Sequence, residues 1–168
     1  MLSFLFPRLT PSEASRGSAL FAALVAEARQ PHWYVEGEIT DTLDGRFAVL
    51  ATMIALATVR LERGGDAAQA EAVALAERFV EAMDSEHREL GIGDPTLGKT
   101  VRKLVGLLAR RVELWRDAVD RARWDDAVAA SLSPQSPETF AHCEEALRNI
   151  WARLEAASDE ALAEGRIG

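Results

Sequence analysis

Apolar residues recur along the chain at intervals of three and four, and few segments alternate between apolar and polar positions. That spacing lines one face of a helix with apolar side chains, so the pattern predicts an all-α protein. Breaks at glycine and proline divide it into a compact bundle of five to six helices. The predicted helices cover residues 11–30, 45–63, 66–90, 94–122, 124–132 and 137–164.

The distribution of apolar residues differs between these helices. Residues 47–59 carry no charge, which predicts a central helix surrounded by the others. Asp44 is expected to cap that helix, and residues 31–43 are expected to form a loop that packs Trp33 and Tyr34 onto the bundle. The apolar face predicted for the third helix consists of Val73, Ala76, Phe79, Val80 and Met83.

The length of 168 residues suits a single helical domain. Within it we expect a core of residues 11–122 and a C-terminal extension of residues 123–164 that forms a helical hairpin. The last four residues, 165–168, are expected to fray.

Composition excludes several classes of protein. A net charge of −8 argues against a DNA-binding protein, and a single cysteine excludes an internal disulfide. The longest uncharged stretch is too short for the roughly 20 residues of a membrane-spanning helix. Met1–Leu9 lacks the features of a secretion signal, which predicts a cytoplasmic protein.

The charge is unevenly distributed. Residues 99–123 carry a net charge of +5, which leaves −13 for the remainder. On the fourth helix, basic residues share a face with two leucines. These residues are Lys99, Lys103, Arg110, Arg121, Leu107 and Leu114. We interpret this face in one of two ways. It is a docking surface, for which the partner is an acidic protein or an anionic membrane, or it is a solvated face whose charge balances the acidic remainder of the chain.

Residues Gly93–Thr100 match the phosphate-binding pattern G-x-x-x-x-G-K-[ST]. In a nucleoside triphosphatase that loop follows a buried strand, whereas a charged helical segment precedes Gly93 here. Asp94-Pro95 is instead typical of a helix start. A phosphate-loop enzyme is therefore the alternative interpretation, and no cofactor or small-molecule substrate is expected.

Ionisable residues cluster near the predicted loops, and they admit two interpretations. The cluster consists of Asp41, Asp44, Arg46, Asp84, His87, Arg88, Glu89 and Asp94. It could hold a metal ion, but caps and ion pairs between helices explain the same residues, and we favour them. Arg111 lies beside the apolar stripe of the fourth helix and should find a carboxylate on Asp41, Asp44 or Asp84.

Two separated motifs resemble those of the ubiquinol-cytochrome c chaperones, a family of assembly factors for the cytochrome bc1 complex. The first is Asp41–Phe47 (DTLDGRF), preceded by Trp33-Tyr34, and the second is Met83–Asp94 (MDSEHRELGIGD). Arg111 follows further on, and the resemblance covers about residues 20–119. It implies that the phosphate-loop match is a coincidence within a family motif.

The resemblance implies a non-enzymatic helical chaperone of bacterial type that binds newly made cytochrome b, peripheral to the inner face of the cytoplasmic membrane. The membrane surface and the ribosome are further candidate partners. We expect the charged motif residues, Asp41, Asp44, Arg46, Asp84, Arg88, Asp94 and Arg111, to fix the architecture. The residues expected to contact the client are Lys99, Lys103, Arg110, Leu107, Leu114, Trp33 and Tyr34. A helical interaction module for another acidic or membrane partner is the remaining alternative.

Overall fold

The computed structural model describes residues 15–89 and 94–168, apart from the side chains of residues 87, 88, 94–98 and 100. Within those residues the protein consists of helices and connecting turns, which confirms the predicted all-α class. The seven helices described are α1 (Ser18–Ala28), α2 (Leu43–Leu61), α3 (Asp66–Glu89), α4 (Asp94–Arg121), α5 (Trp124–Leu132), α6 (Pro137–Ala156) and α7 (Asp159–Ala163).

Helix α2 lies at the centre of the bundle, as its uncharged sequence predicts. Every residue from Val49 to Val59 is buried, and α2 packs against α1, α3, α4, α5 and α6. Its two threonines satisfy their hydroxyls within the helix, because Thr52 donates to the Ala48 carbonyl and Thr58 to the Ile54 carbonyl. The helix can therefore be buried on all sides without leaving those hydroxyls unpaired.

Helix α1 begins at Ser18, after Gly17 adopts a left-handed φ of 79°. The predicted helix start at Pro11 lies outside the described residues. A side chain on Gly17 would lie 2.8 Å from the Ala74 backbone of α3, so glycine lets the two helices approach closely. Buried Glu71 accepts a hydrogen bond of 2.9 Å from the Gly17 N–H and so replaces a side-chain cap at this helix start.

The C-terminal helices share the hydrophobic core. Buried residues from all seven described helices form one cluster, and the Trp115 and Trp124 rings meet edge to face across α4 and α5. The long final helix predicted for residues 137–164 is two helices, because Ala157 is extended and Ser158 caps α7. α6 itself begins with a capping box between Ser136 and Thr139.

The expectation that residues 165–168 fray is wrong. Ile167 is buried in the core, and the Arg153 guanidinium donates a hydrogen bond of 2.8 Å to the Gly168 carbonyl. Backbone hydrogen bonds from the Gly165 and Arg166 N–H groups to the Leu162 and Ala161 carbonyls hold the same segment against α7.

Candidate functional site

A groove of about 820 Å³ opens between α1, α2, α3 and the segment that joins α1 to α2. We call it the aromatic groove. Its walls are mainly apolar, with charged side chains at the rim. Its lining residues include Tyr34, Val35, Asp41, Arg46, Phe47 and Met83. Such a mixture suits an extended or helical polypeptide segment better than a small polar molecule.

The two aromatic residues beside this groove have different roles. Trp33 is fully buried, and its indole N–H donates to the Glu27 carbonyl over 3.0 Å, so it secures the joining segment. A partner contact of Trp33 stays a prediction, and it would require this side chain to become exposed. Tyr34 does line the groove, and its hydroxyl donates to the Ala28 carbonyl over 2.8 Å. Burial raises the pKa of Tyr34, so the hydroxyl remains a proton donor.

An ion pair marks the rim of the aromatic groove. Arg46 Nε donates to Asp41 Oδ1 over 2.7 Å, and this bond lowers the pKa of Asp41. Both side chains are exposed, so the pair adds little stability but presents both charges to solvent. The cap predicted for Asp44 is supplied by Thr42, whose hydroxyl accepts from the Gly45 N–H, and Asp44 lies in the first turn of α2.

The other charged motif residues do not form a metal site within the described part of the chain. Asp84 is half-buried on α3, whereas the side chains of His87, Arg88 and Asp94 lie outside the described residues. Among described residues there is no group of three or more histidine, cysteine, aspartate or glutamate side chains placed to hold a metal ion.

Arg111 is half-buried and lacks the carboxylate expected for it. Within the described residues, its Nη1 atom donates to three neutral oxygens: the Ala48 carbonyl, the Thr52 hydroxyl and the Ser131 carbonyl, at 2.8, 2.8 and 3.3 Å. Burial lowers the pKa of Arg111. The prediction of a partner among Asp41, Asp44 and Asp84 is therefore wrong, and Arg111 joins α2, α4 and α5 through polar oxygens instead.

The basic face of α4 consists of Lys99, Lys103, Leu107, Arg110, Leu114 and Arg121. Its first three cations, Lys99, Lys103 and Arg110, are exposed, and none forms an ion pair with another described residue. Leu107 and Leu114 are half-buried at its edge. The aromatic groove includes no described residue of α4, so the groove and the basic face are separate surfaces.

The phosphate-binding loop is not formed. α4 begins at Asp94, so residues 94–100 are helical, where a phosphate-binding loop would precede the helix. Cys143, the cysteine of the chain, is buried, and burial raises the pKa of its thiol to about 11. A thiol with that pKa is not a nucleophile at neutral pH.

A histidine pair escaped the sequence analysis. His32 Nδ1 and His142 Nε2 are 3.0 Å apart, and the pair joins the turn after α1 to α6. Burial and the neighbouring His142 lower the pKa of His32, which favours the neutral form of that imidazole. The two residues are 110 positions apart, so no spacing pattern could have linked them.

A second groove, which we call the α3–α4 groove, was also missed. It has a volume of about 740 Å³ and is lined by α3, α4 and the end of α2. Val73 belongs to the apolar face predicted for the third helix, but it is 62% exposed at this groove. Val105 is 50% exposed on the opposite wall, at a position that diverges from the apolar stripe of α4.

The comparison with known families decides between these interpretations. The family model described as "Ubiquinol-cytochrome C chaperone" matches residues 36–167 of the chain. The chain belongs to the ubiquinol-cytochrome c chaperone family. The match includes the C-terminal helices α5–α7, so residues beyond 119, where the sequence resemblance ended, also lie within the family region.

A solved structure supports the same family. The crystal structure of the Cbp3 homolog from Brucella abortus is similar, with a TM-score of 0.77 and 29% sequence identity. The similarity covers 92% of this chain and 88% of that chain. No curated protein sequence matches the chain.

In the described part of the chain, no helix combines the length and the apolar character that crossing a bilayer requires.

Proposed function

We propose that this chain is an assembly chaperone of the ubiquinol-cytochrome c reductase (bc1) complex that binds newly made cytochrome b and promotes its incorporation. The observation that carries the proposal is the family match over residues 36–167. The similarity to the Cbp3 homolog over 92% of the chain supports it. The chain acts by binding rather than by catalysis, which agrees with the helical conformation of residues 94–100.

We place the client contact on the basic face of α4. A chaperone for a membrane protein needs apolar surface for the client's exposed hydrophobic segments and charges for its loops. Lys99, Lys103 and Arg110 supply positive charge that no other described residue pairs with, and Leu107 and Leu114 supply an apolar border. Acidic loops of the client, or anionic headgroups beside it, are attracted to such a face.

The aromatic groove is a second contact surface for the same client. Its apolar wall and its exposed ion pair between Asp41 and Arg46 suit a segment with both apolar and polar residues. Tyr34 is the aromatic residue that reaches this surface. We place the protein in the cytoplasm, at the inner face of the membrane, where the client is inserted. The ribosome is a further partner in this proposal.

The test is a charge reversal on the basic face. Lys99→Glu, Lys103→Glu and Arg110→Glu are combined in one variant, and co-purification of cytochrome b with the tagged chaperone is measured in the native host. All three side chains are exposed, so helicity by circular dichroism should stay unchanged. Cytochrome b should fall to the level of an untagged control.

The matched control reverses three exposed arginines elsewhere. Arg123, Arg148 and Arg166 each form an exposed ion pair, and their reversal changes the net charge by the same amount. This control should retain cytochrome b. Undiminished co-purification with the basic-face variant would refute the proposed contact. Loss of vesicle binding without any change in bc1 level would instead favour a membrane-binding module.

A further inference from the structure

The α3–α4 groove exposes an apolar surface to solvent. Its floor consists of Ala76, Val80, Leu108, Ala109 and Val112. Val73 on the α3 wall is 62% exposed, and Val105 on the α4 wall is 50% exposed. Such exposure is unusual for valines beside a core. Together they form a contiguous apolar patch rather than scattered single residues, and such patches mark interaction sites.

The rim of this groove is acidic. Four glutamates line it, and one arginine: Glu62, Glu77, Glu81, Glu113 and Arg116. Glu62 is engaged by Arg116 at 2.8 Å, and Glu81 by Arg78 at 2.9 Å. Glu77 on α3 and Glu113 on α4 form no ion pair with another described residue, so one carboxylate on each wall is unneutralised.

The dimensions of the groove fit a helix. Its lining residues span 73–81 on α3 and 105–116 on α4. At the rise of a helix these spans are about 12 and 17 Å, or two to three turns. A helix of that length presents three or four apolar side chains on one face, with flanking positions above the groove walls.

We propose that the α3–α4 groove docks a cationic amphipathic helix of a partner protein, whose apolar face covers Val73 and Val105 and whose basic flanks meet Glu77 and Glu113. The charge of the groove is opposite to that of the basic face on the same helix. The two surfaces therefore select partners of opposite charge, and this docking does not depend on the client contact proposed above.

The probe is a fluorescein-labelled 18-residue peptide of leucine and lysine, with leucine at helical spacing, titrated with the full-length protein. Fluorescence anisotropy should rise to a 1:1 plateau, and a scrambled peptide of the same composition should bind at least tenfold more weakly. Equal binding of the two peptides would overturn the proposal, because net charge alone would then explain it.

Matched variants locate the site. Val105→Asp should weaken peptide binding at least tenfold, because it places a charge in the apolar patch. Ala130→Asp adds the same charge at an exposed position of α5 outside both grooves, and it should leave binding within twofold. Both positions are solvent-accessible, so both variants should fold, as circular dichroism can verify. Equal effects of the two variants would contradict the assignment of the groove.

The charge contribution has its own control. The double variant Glu77→Lys, Glu113→Lys should weaken binding at least tenfold. The double variant Glu155→Lys, Glu160→Lys changes exposed residues outside the groove and should not weaken it.

Sedimentation of the unliganded protein tests whether a second copy of this chain occupies the groove. A dimer that Val105→Asp dissolves would overturn the proposal, because the groove would then be a self-association surface.

Discussion

Arg60 links the central helix to the C-terminal helices, and its replacement should strongly destabilise the protein. Its guanidinium donates to the carbonyls of Leu154 and Ala157 at 3.1 and 2.7 Å, and to Asp159 Oδ1 at 2.9 Å. The two carbonyls lie at the end of α6, where the helix itself supplies no donors. A positive charge there is also favoured by the helix dipole.

The expected cost follows from burial. Hydrogen bonds from a charged donor contribute about 1.5–3 kcal/mol each, and breaking a buried ion pair costs about 3–5 kcal/mol. The Arg60 side chain is 14% exposed, but Asp159 is 32% exposed and regains water when the arginine is removed. We therefore expect Arg60→Ala to lower the free energy of unfolding by about 3 kcal/mol. For a chain of this size that shifts Tm by about 6–12 °C.

Urea denaturation followed by circular dichroism measures this cost, with Arg116→Ala as the matched control. Arg116 makes a bidentate ion pair with Glu62, but the two side chains are 42% and 39% exposed. Exposed pairs contribute about 0–1 kcal/mol, so the control should lose less than about 1 kcal/mol. If the two variants lost equal free energy of unfolding, burial and the position at a helix end would not explain the contribution of Arg60.

Three further predictions concern stability. The free energy of unfolding should fall as pH drops below 6.5, because burial and His142 lower the pKa of His32 and the unfolded chain binds the proton more readily. His32→Phe removes the titrating group and should flatten that dependence in urea titrations at pH 5.5 and 7.5. Glu71→Ala should cost about 1–3 kcal/mol, because it leaves a buried N–H without an acceptor, whereas Glu71→Gln keeps an acceptor and should cost clearly less in the same assay. Gly45→Ala should cost about 1–3 kcal/mol by thermal denaturation, because its Cβ would clash with the Thr40 carbonyl oxygen. An unchanged Tm would contradict that contact.

Much of the fold could be predicted because helical periodicity is a local signal. The uncharged run in α2 indicated burial on every side, and Val49–Val59 is indeed buried. The division of the last helix escaped because a single extended residue, Ala157, interrupts it, and the Ser158 cap is a weak signal within an otherwise helical pattern.

The site was harder to predict because it depends on which helices meet. Val73 fits the apolar face of α3, yet the gap between α3 and α4 leaves it exposed. Arg111 was expected to find a carboxylate, but the turn at the end of α5 places the Ser131 carbonyl nearby. The burial of Trp33 likewise depends on distant residues of the bundle. These contacts join residues that are far apart in the sequence, so no spacing pattern predicts them.

The central claim is that the chain is needed to assemble the bc1 complex through cytochrome b. Deletion of its gene in the native host, followed by native gel electrophoresis and haem b spectra of the membranes, tests that claim most directly. We predict that assembled bc1 complex and cytochrome b both fall strongly, and that the intact gene restores them. Normal levels of both in the deletion strain would contradict the account.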